Sequence, residues 1–217
     1  MSLDIVPFAP GHARQVAEIH IEGQPGTFLT RLGPDFLTQL YRAMASSQWA
    51  FGSVIVDGEQ VVGVGVVALN TARLFRDIKL HHWQHLIWPV MRQMLRQPAL
   101  LGELIQSWRY PTRIVAPPGD AEMLFFGLRR AYMRHGLGPR LLDHLMEAAY
   151  RRGFRTLSAL IDKRNRPVRW MIASLPSLRV DQEISLHGKT MLVYRVQLGS
   201  AVTGEEGARQ ATNETAR

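Results

Sequence analysis

Tyr132-Met133-Arg134-His135-Gly136-Leu137-Gly138-Pro139-Arg140 decides how this sequence folds. An apolar run, Met123 to Leu128, comes before it and has the length of a buried strand. Leu141, Leu142, Leu145, Met146 and Ala149 follow it, spaced to give a helix one apolar face. Strand, glycine loop and helix together make an anion site. Glycine lets the backbone turn tightly and approach a ligand closely. The first amides of a helix have no partner inside it and point outward, and the helix dipole favours a negative group there.

A glycine pair after a strand can also be a tight turn and nothing more. The neighbours favour a phosphate loop: Arg134, His135 and Arg140 bring donors, and Pro139 suits a first helical position, where its missing N–H costs little. A dinucleotide loop would need a third glycine and an acidic residue about 20 positions on. A Walker loop would need Gly-Lys-Ser/Thr, which is absent.

The loop resembles the pyrophosphate loop of the GNAT N-acetyltransferases, in which a glutamine or arginine stands three residues before the first glycine. Further stretches extend the likeness. Arg155 to Ile161 follows the helix as the next strand, and Asn165-Arg166-Pro167-Val168-Arg169-Trp170 resembles the family's asparagine-led helix entry. Leu178–Ile184, His187-Gly188-Lys189 and Met191–Leu198 resemble its closing hairpin. The match covers Glu122 to Leu198 closely and the first 70 residues more loosely. It departs at two points: Met133 stands where the family has glutamine or arginine, and the asparagine-led helix carries Trp170, Met171 and Ile172 but no tyrosine to act as general acid.

The resemblance implies an α/β acyl-CoA N-acyltransferase fold. Its mixed central sheet would be flanked by helices and splayed between the strand ending at Leu128 and the one starting at Arg155. It implies acetyl-CoA as cosubstrate, with no metal, and a small-molecule or peptide amine as acceptor. The pantetheine arm would pair with the backbone of Phe126 and Leu128. The pyrophosphate would sit on the loop from Met133 through Arg134, His135, Gly136, Leu137 and Gly138, with Arg134 and Arg140 adding charge. Asn165 would meet the pantetheine arm or help orient the site. Glu122, at the start of the central strand, is the implied general base, acting directly or through a water. Strand parity puts Glu122, Leu124, Phe126 and Leu128 on one face. A backbone amide of this strand would polarise the thioester carbonyl. An alternative in another class is a catalytically silent acyl-CoA-binding regulatory or assembly module.

Composition sets bounds. At 217 residues, 46% hydrophobic and 20% charged, the chain can build one domain with a sizeable core. It has no cysteine, so disulfides, thiolate metal sites and a cysteine nucleophile are excluded. Met1-Ser2-Leu3-Asp4 lacks the pattern of a secretory leader, and no apolar run nears the roughly 20 residues of a spanning helix. These features predict a cytoplasmic protein. The net charge of +8 suits a polyanionic ligand such as CoA, but the basic residues are scattered, which argues against nucleic acid.

Upstream, Leu3–Phe8 reads as a first strand. Pro10 opens a helix with Ala13, Val16, Ala17, Ile19 and His20 facing inward. The turn-rich stretch Glu22 to Gly33 and the helix from Pro34, with Phe36, Leu37, Leu40, Tyr41 and Met44 on one face, are expected to wall the acceptor site by the same resemblance. The scarcity of acid there, Glu22 and Asp35 only, disfavours a highly cationic acceptor. Asp57-Gly58-Glu59 between apolar runs predicts a hairpin.

Residues from 71 to about 113 exceed the family's minimal pattern and predict a helical insertion between the third and fourth strands. Leu86, Ile87, Val90, Met91, Met94 and Leu95 repeat at helical spacing, and Pro98 separates them from a second run, Leu100 to Trp108. Six basic residues (Arg73, Arg76, Lys79, Arg92, Arg96, Arg109) stand against two acidic ones (Asp77, Glu103), a net +4. Four roles are open: a lid over the acceptor, a homodimer contact, a membrane-surface contact, or added core. His81 and His85 have metal-ligand spacing but no acidic partner in the next turn, so no metal is expected. Pro117-Pro118-Gly119-Asp120 predicts a turn. One domain is expected over 1–198. Gly199 to Arg217, with one valine and no aromatic residue, predicts a disordered tail.

Overall fold

Seven strands form one mixed sheet in the order β1-β2-β3-β4-β5-β7-β6. The computed structural model describes residues 3–98, 119–186 and 189–199. The strands are β1 (Leu3–Pro7), β2 (Ala50–Asp57), β3 (Gln60–Ala68), β4 (Ala121–Leu128), β5 (Thr156–Asp162), β6 (Arg179–Leu186) and β7 (Lys189–Gln197). The helices are α1 (Ala13–Gly23), α2 (Phe28–Arg31), α3 (Pro34–Ser46), α4 (Thr71–His81), α5 (Trp83–Arg96), α6 (Leu137–Arg151) and α7 (Arg166–Ile172). The second predicted run of the insertion, the Pro117-Pro118 turn, the tip at His187-Gly188 and the tail after Gly199 lie outside the described residues.

The two faces of the sheet bury two apolar clusters. On one face α1 and α3 pack Ala13, Val16, Ile19, Leu37, Leu40 and Tyr41 against Val64, Val66 and Phe125. On the other, α6 packs Leu141, Leu145, Met146 and Ala149 against Val62, Val67, Leu157 and Tyr194. The inner positions read for α1 are its buried ones. β2 and β3 close as predicted, with Asp57 opposite Gln60 and Gly58 at φ 60°, the left-handed conformation this turn requires.

One residue changes the parity of β4. Val66 pairs with Phe125 and Val67 with Met123, so Leu124 is an extra residue in a β-bulge. Downstream side chains exchange faces. Phe126 and Leu128 lie with Met123 in the α6 cluster, whereas Glu122 shares the α1–α3 face with its cross-strand neighbour Ala68 and with Phe125. The single face expected for Glu122, Leu124, Phe126 and Leu128 is therefore corrected by the bulge.

β4 and β5 run parallel but pair only through Ala121↔Leu157, Glu122↔Ser158 and Met123↔Ala159. Ser158 Oγ donates to the Ala121 carbonyl at 3.2 Å and pins the closed end. Beyond Met123 the strands part, and among the described residues the edge of β4 that faces β5 has no strand partner. Arg195 braces this end, reaching Asp120 at 2.6 Å and Asp181 at 2.9 Å. α4 and α5 follow β3, and α5 packs against α3. Among the described residues no helix is long and apolar enough to cross a membrane.

Candidate active site

The parted strands open a cleft of about 440 Å³. Leu124 and Phe126 of β4, Leu160 of β5, Met171 of α7 and Tyr194 of β7 line it, and Gln24 and Thr27 from the loop after α1 form its far rim. The turn-rich stretch expected to wall the acceptor site therefore does reach the cleft. Thr27 holds it in shape by accepting from the Thr30 amide, which caps the short α2.

The glycine loop leaves β4 through Arg129, whose amide bonds the Val62 carbonyl at 2.8 Å and whose guanidinium pairs with Glu18 at 2.9 Å. Arg130 gives its amide to the Glu22 carboxylate at 2.7 Å, so Glu22 fixes the loop. Tyr132 donates to Asp57 at 2.9 Å. Arg134 and Gly136 then both adopt positive φ, 66° and 72°. Among the described residues, the amides of Arg134, His135, Gly136, Leu137 and Gly138 make no hydrogen bond within the chain. They sit at the N-terminus of the 15-residue α6, where the dipole adds attraction for an anion.

α6 begins at Leu137, which makes Pro139 its third residue and not its first. That position also lacks an intrahelical acceptor, so proline loses nothing there. Gly138 is needed for packing: a Cβ there would lie 2.9 Å from Met171 Sδ and 3.5 Å from Leu128 Cδ1. The head of α6 thus lies directly on α7 and on the end of β4. Met133 and His135 are exposed. Arg140 gives its guanidinium to the Leu3 carbonyl at 3.1 Å. Asn165 caps α7, its side chain accepting from the Val168 amide at 3.3 Å, and it also lines the cleft. Phe126 lines the cleft, while Leu128 packs behind the loop.

Glu122 is buried at the closed end of the splay and accepts a hydrogen bond from the Thr71 hydroxyl at the start of α4. Burial raises its pKa above the ordinary carboxylate range, and the Thr71 bond partly opposes this. Its neighbours Met123 and Leu124 line the cleft, but Glu122 itself faces the α1–α3 side. It is thus one residue removed from the cleft, on the opposite face from α6.

Two groups escaped the sequence reading. Tyr194 comes from β7 into the cleft, and its hydroxyl accepts from Arg169 Nε at 3.1 Å, leaving the O–H free to donate. Thr71 meets Glu122 across 51 positions of sequence. His81 binds Asp77 at 2.9 Å, and no group of three or more His, Asp or Glu among the described residues is placed to hold a metal.

The sequence matches the acetyltransferase (GNAT) family over residues 14–171. Solved structures share the fold. An N-acetyltransferase from Staphylococcus aureus superposes with a TM-score of 0.61 at 12% identity, over 92% of this chain and 100% of that one. A GNAT-family acetyltransferase from Desulfovibrio desulfuricans gives 0.60 at 12% identity, over 91% and 100%. An acetyltransferase from Salmonella typhimurium, solved with its cofactor acetyl-CoA, gives 0.59 at 15% identity, over 94% and 98%. No curated protein matches the sequence.

Proposed function

The chain belongs to the acetyltransferase (GNAT) family, an acyltransferase family that uses acetyl-CoA as cosubstrate, and we infer that it transfers the acetyl group to a primary amine of a small-molecule or peptide acceptor. The observation that carries this reading is the run of unpartnered amides from Arg134 to Gly138 at the head of α6, beside the unpaired edge of β4. A pyrophosphate fits the first and an amide-bearing arm fits the second.

Acetyl-CoA, when bound, supplies an electrophilic thioester carbonyl and a thiolate leaving group. The chain's own groups supply the rest. The amides of Arg134 to Gly138 hold phosphate oxygens, with the Arg134 side chain adding charge. The β4 edge around Phe126 aligns the pantetheine, and the bulge at Leu124 turns a backbone amide toward the thioester carbonyl. Asn165 borders the same arm.

Glu122 is the base, reaching the acceptor nitrogen through a water from the α1–α3 face. Its raised pKa suits it to take a proton near neutral pH. Tyr194 returns a proton to the sulfur, taking the place of the tyrosine that α7 lacks; Arg169 orients its hydroxyl. The acceptor enters past Gln24 and Thr27. Incubating the protein with acetyl-CoA and a panel of amines, while following thiol release and acetylated product by mass spectrometry, tests transfer. Bound acetyl-CoA with no product from any amine would sink it.

A further inference from the structure

α5 carries an apolar face that is exposed among the described residues. Trp83, Ile87, Met91 and Leu95 recur every fourth residue and are 52%, 50%, 49% and 83% exposed, with Trp88 beside them at 74%. The stripe runs the length of a 14-residue helix, about 20 Å. The helix is held from its other side, where Leu86 packs into the α1–α3 core. Isolated exposed apolar side chains are ordinary, but a contiguous stripe with two tryptophans marks a contact surface.

Charge indicates what the surface meets. Over residues 71–98 five basic side chains, Arg73, Arg76, Lys79, Arg92 and Arg96, stand against Asp77 alone, a net of 5 − 1 = +4. Asp77 is engaged by Ser47 and His81, and α5 itself has no acidic residue. Arg92 and Arg96 of the same helix are exposed, and Arg92 lies 3.8 Å from the exposed Asp35. A second copy of the chain would bring the same positive hairpin against this one, and like charges disfavour that pairing. An anionic bilayer satisfies both halves of the pattern: tryptophan and leucine enter the interface while arginine meets lipid phosphate.

We propose that α5 docks this protein on an anionic membrane surface, lying in the plane of the interface with Trp83, Ile87, Trp88, Met91 and Leu95 inserted.

The test is flotation of the full chain with vesicles of phosphatidylcholine alone or with about one quarter phosphatidylglycerol, at low salt and at roughly 0.3 M salt. Co-flotation with the anionic vesicles, a blue shift of tryptophan emission and weakening in salt are expected. Trp88→Glu with Leu95→Glu, both outside the core, should lower vesicle affinity at least about tenfold without moving the unfolding midpoint. Arg92→Gln with Arg96→Gln should remove most of the preference for the anionic lipid. Three outcomes would overturn the proposal: no flotation at low salt, flotation that the Trp88/Leu95 variant keeps, or a dimer that this variant dissociates in a protein that ignores vesicles.

Discussion

His20 should make this protein lose stability in mild acid, by an amount its surroundings set. The ring is 3% exposed, stacked on Phe125 at 4.6 Å between centroids and joined to the Tyr41 hydroxyl at 2.6 Å. Its Nε2 has no partner among the described residues. Burial lowers its pKa from 6.5 to about 4. As pH falls the unfolded chain therefore takes up the proton first, and stability present above 6.5 is lost on the way down to 4. The full gap is worth about 3 kcal/mol, of which about 2 kcal/mol falls between about pH 7 and pH 5. That corresponds to roughly 4–8 °C in midpoint for a chain of this size. The control is His20→Phe with Tyr41→Phe, which removes the titrating ring and its partner together and leaves no orphaned hydroxyl. Glu122 acts in the opposite sense. Its folded-state pKa is raised, so its cost of burial is relieved as pH falls; it is common to both proteins and cancels. Unfolding of both at the two pH values isolates the histidine. Parallel losses in the two proteins would refute the reasoning.

Glu122→Gln should lower the rate about a hundredfold or more while leaving acetyl-CoA binding intact, and should hold or raise the midpoint at neutral pH because a desolvated carboxylate is gone; an unchanged rate and pH profile would remove it as base. Tyr194→Phe should lower kcat about tenfold or more with KM little changed, and stopped-flow turnover would show otherwise if the phenol is only packing. Gly136→Ala places a Cβ at φ 72°, costing about 1–2 kcal/mol, and should weaken acetyl-CoA binding by turning the loop amides; thermal unfolding reads the first and a calorimetric titration the second.

Much of this was legible because local signals agreed with one another. The spacing of Leu141, Leu142, Leu145, Met146 and Ala149 could only bury one helical face, and all five are buried. Asp57-Gly58 set a hairpin because its turn needs positive φ. The glycine loop announced itself by residue type. The bulge at Leu124 did not, since it is a mismatch with β3, a strand more than 50 positions away, and no residue of β4 marks it. It reversed the face of Phe126 and Leu128 relative to Glu122. Contacts of long sequence separation were hidden for the same reason: Thr71 on Glu122, Arg169 on Tyr194, and Glu22 on the Arg130 amide. In α5 the periodicity was plain but its sense was not. Spacing gives an apolar stripe, whereas the packing of Leu86 against the core decides that Ile87, Met91 and Leu95 face outward.

The claim on which the account rests is that the head of α6 and the open edge of β4 receive acetyl-CoA. Thermal unfolding with and without acetyl-CoA, at moderate salt to screen nonspecific attraction to a +8 chain, tests it most directly. At a ligand concentration about 100 times Kd, binding should add about 2.7 kcal/mol, or roughly 5–11 °C, and Gly136→Ala should lose most of that shift. An unmoved midpoint at millimolar acetyl-CoA would contradict the account.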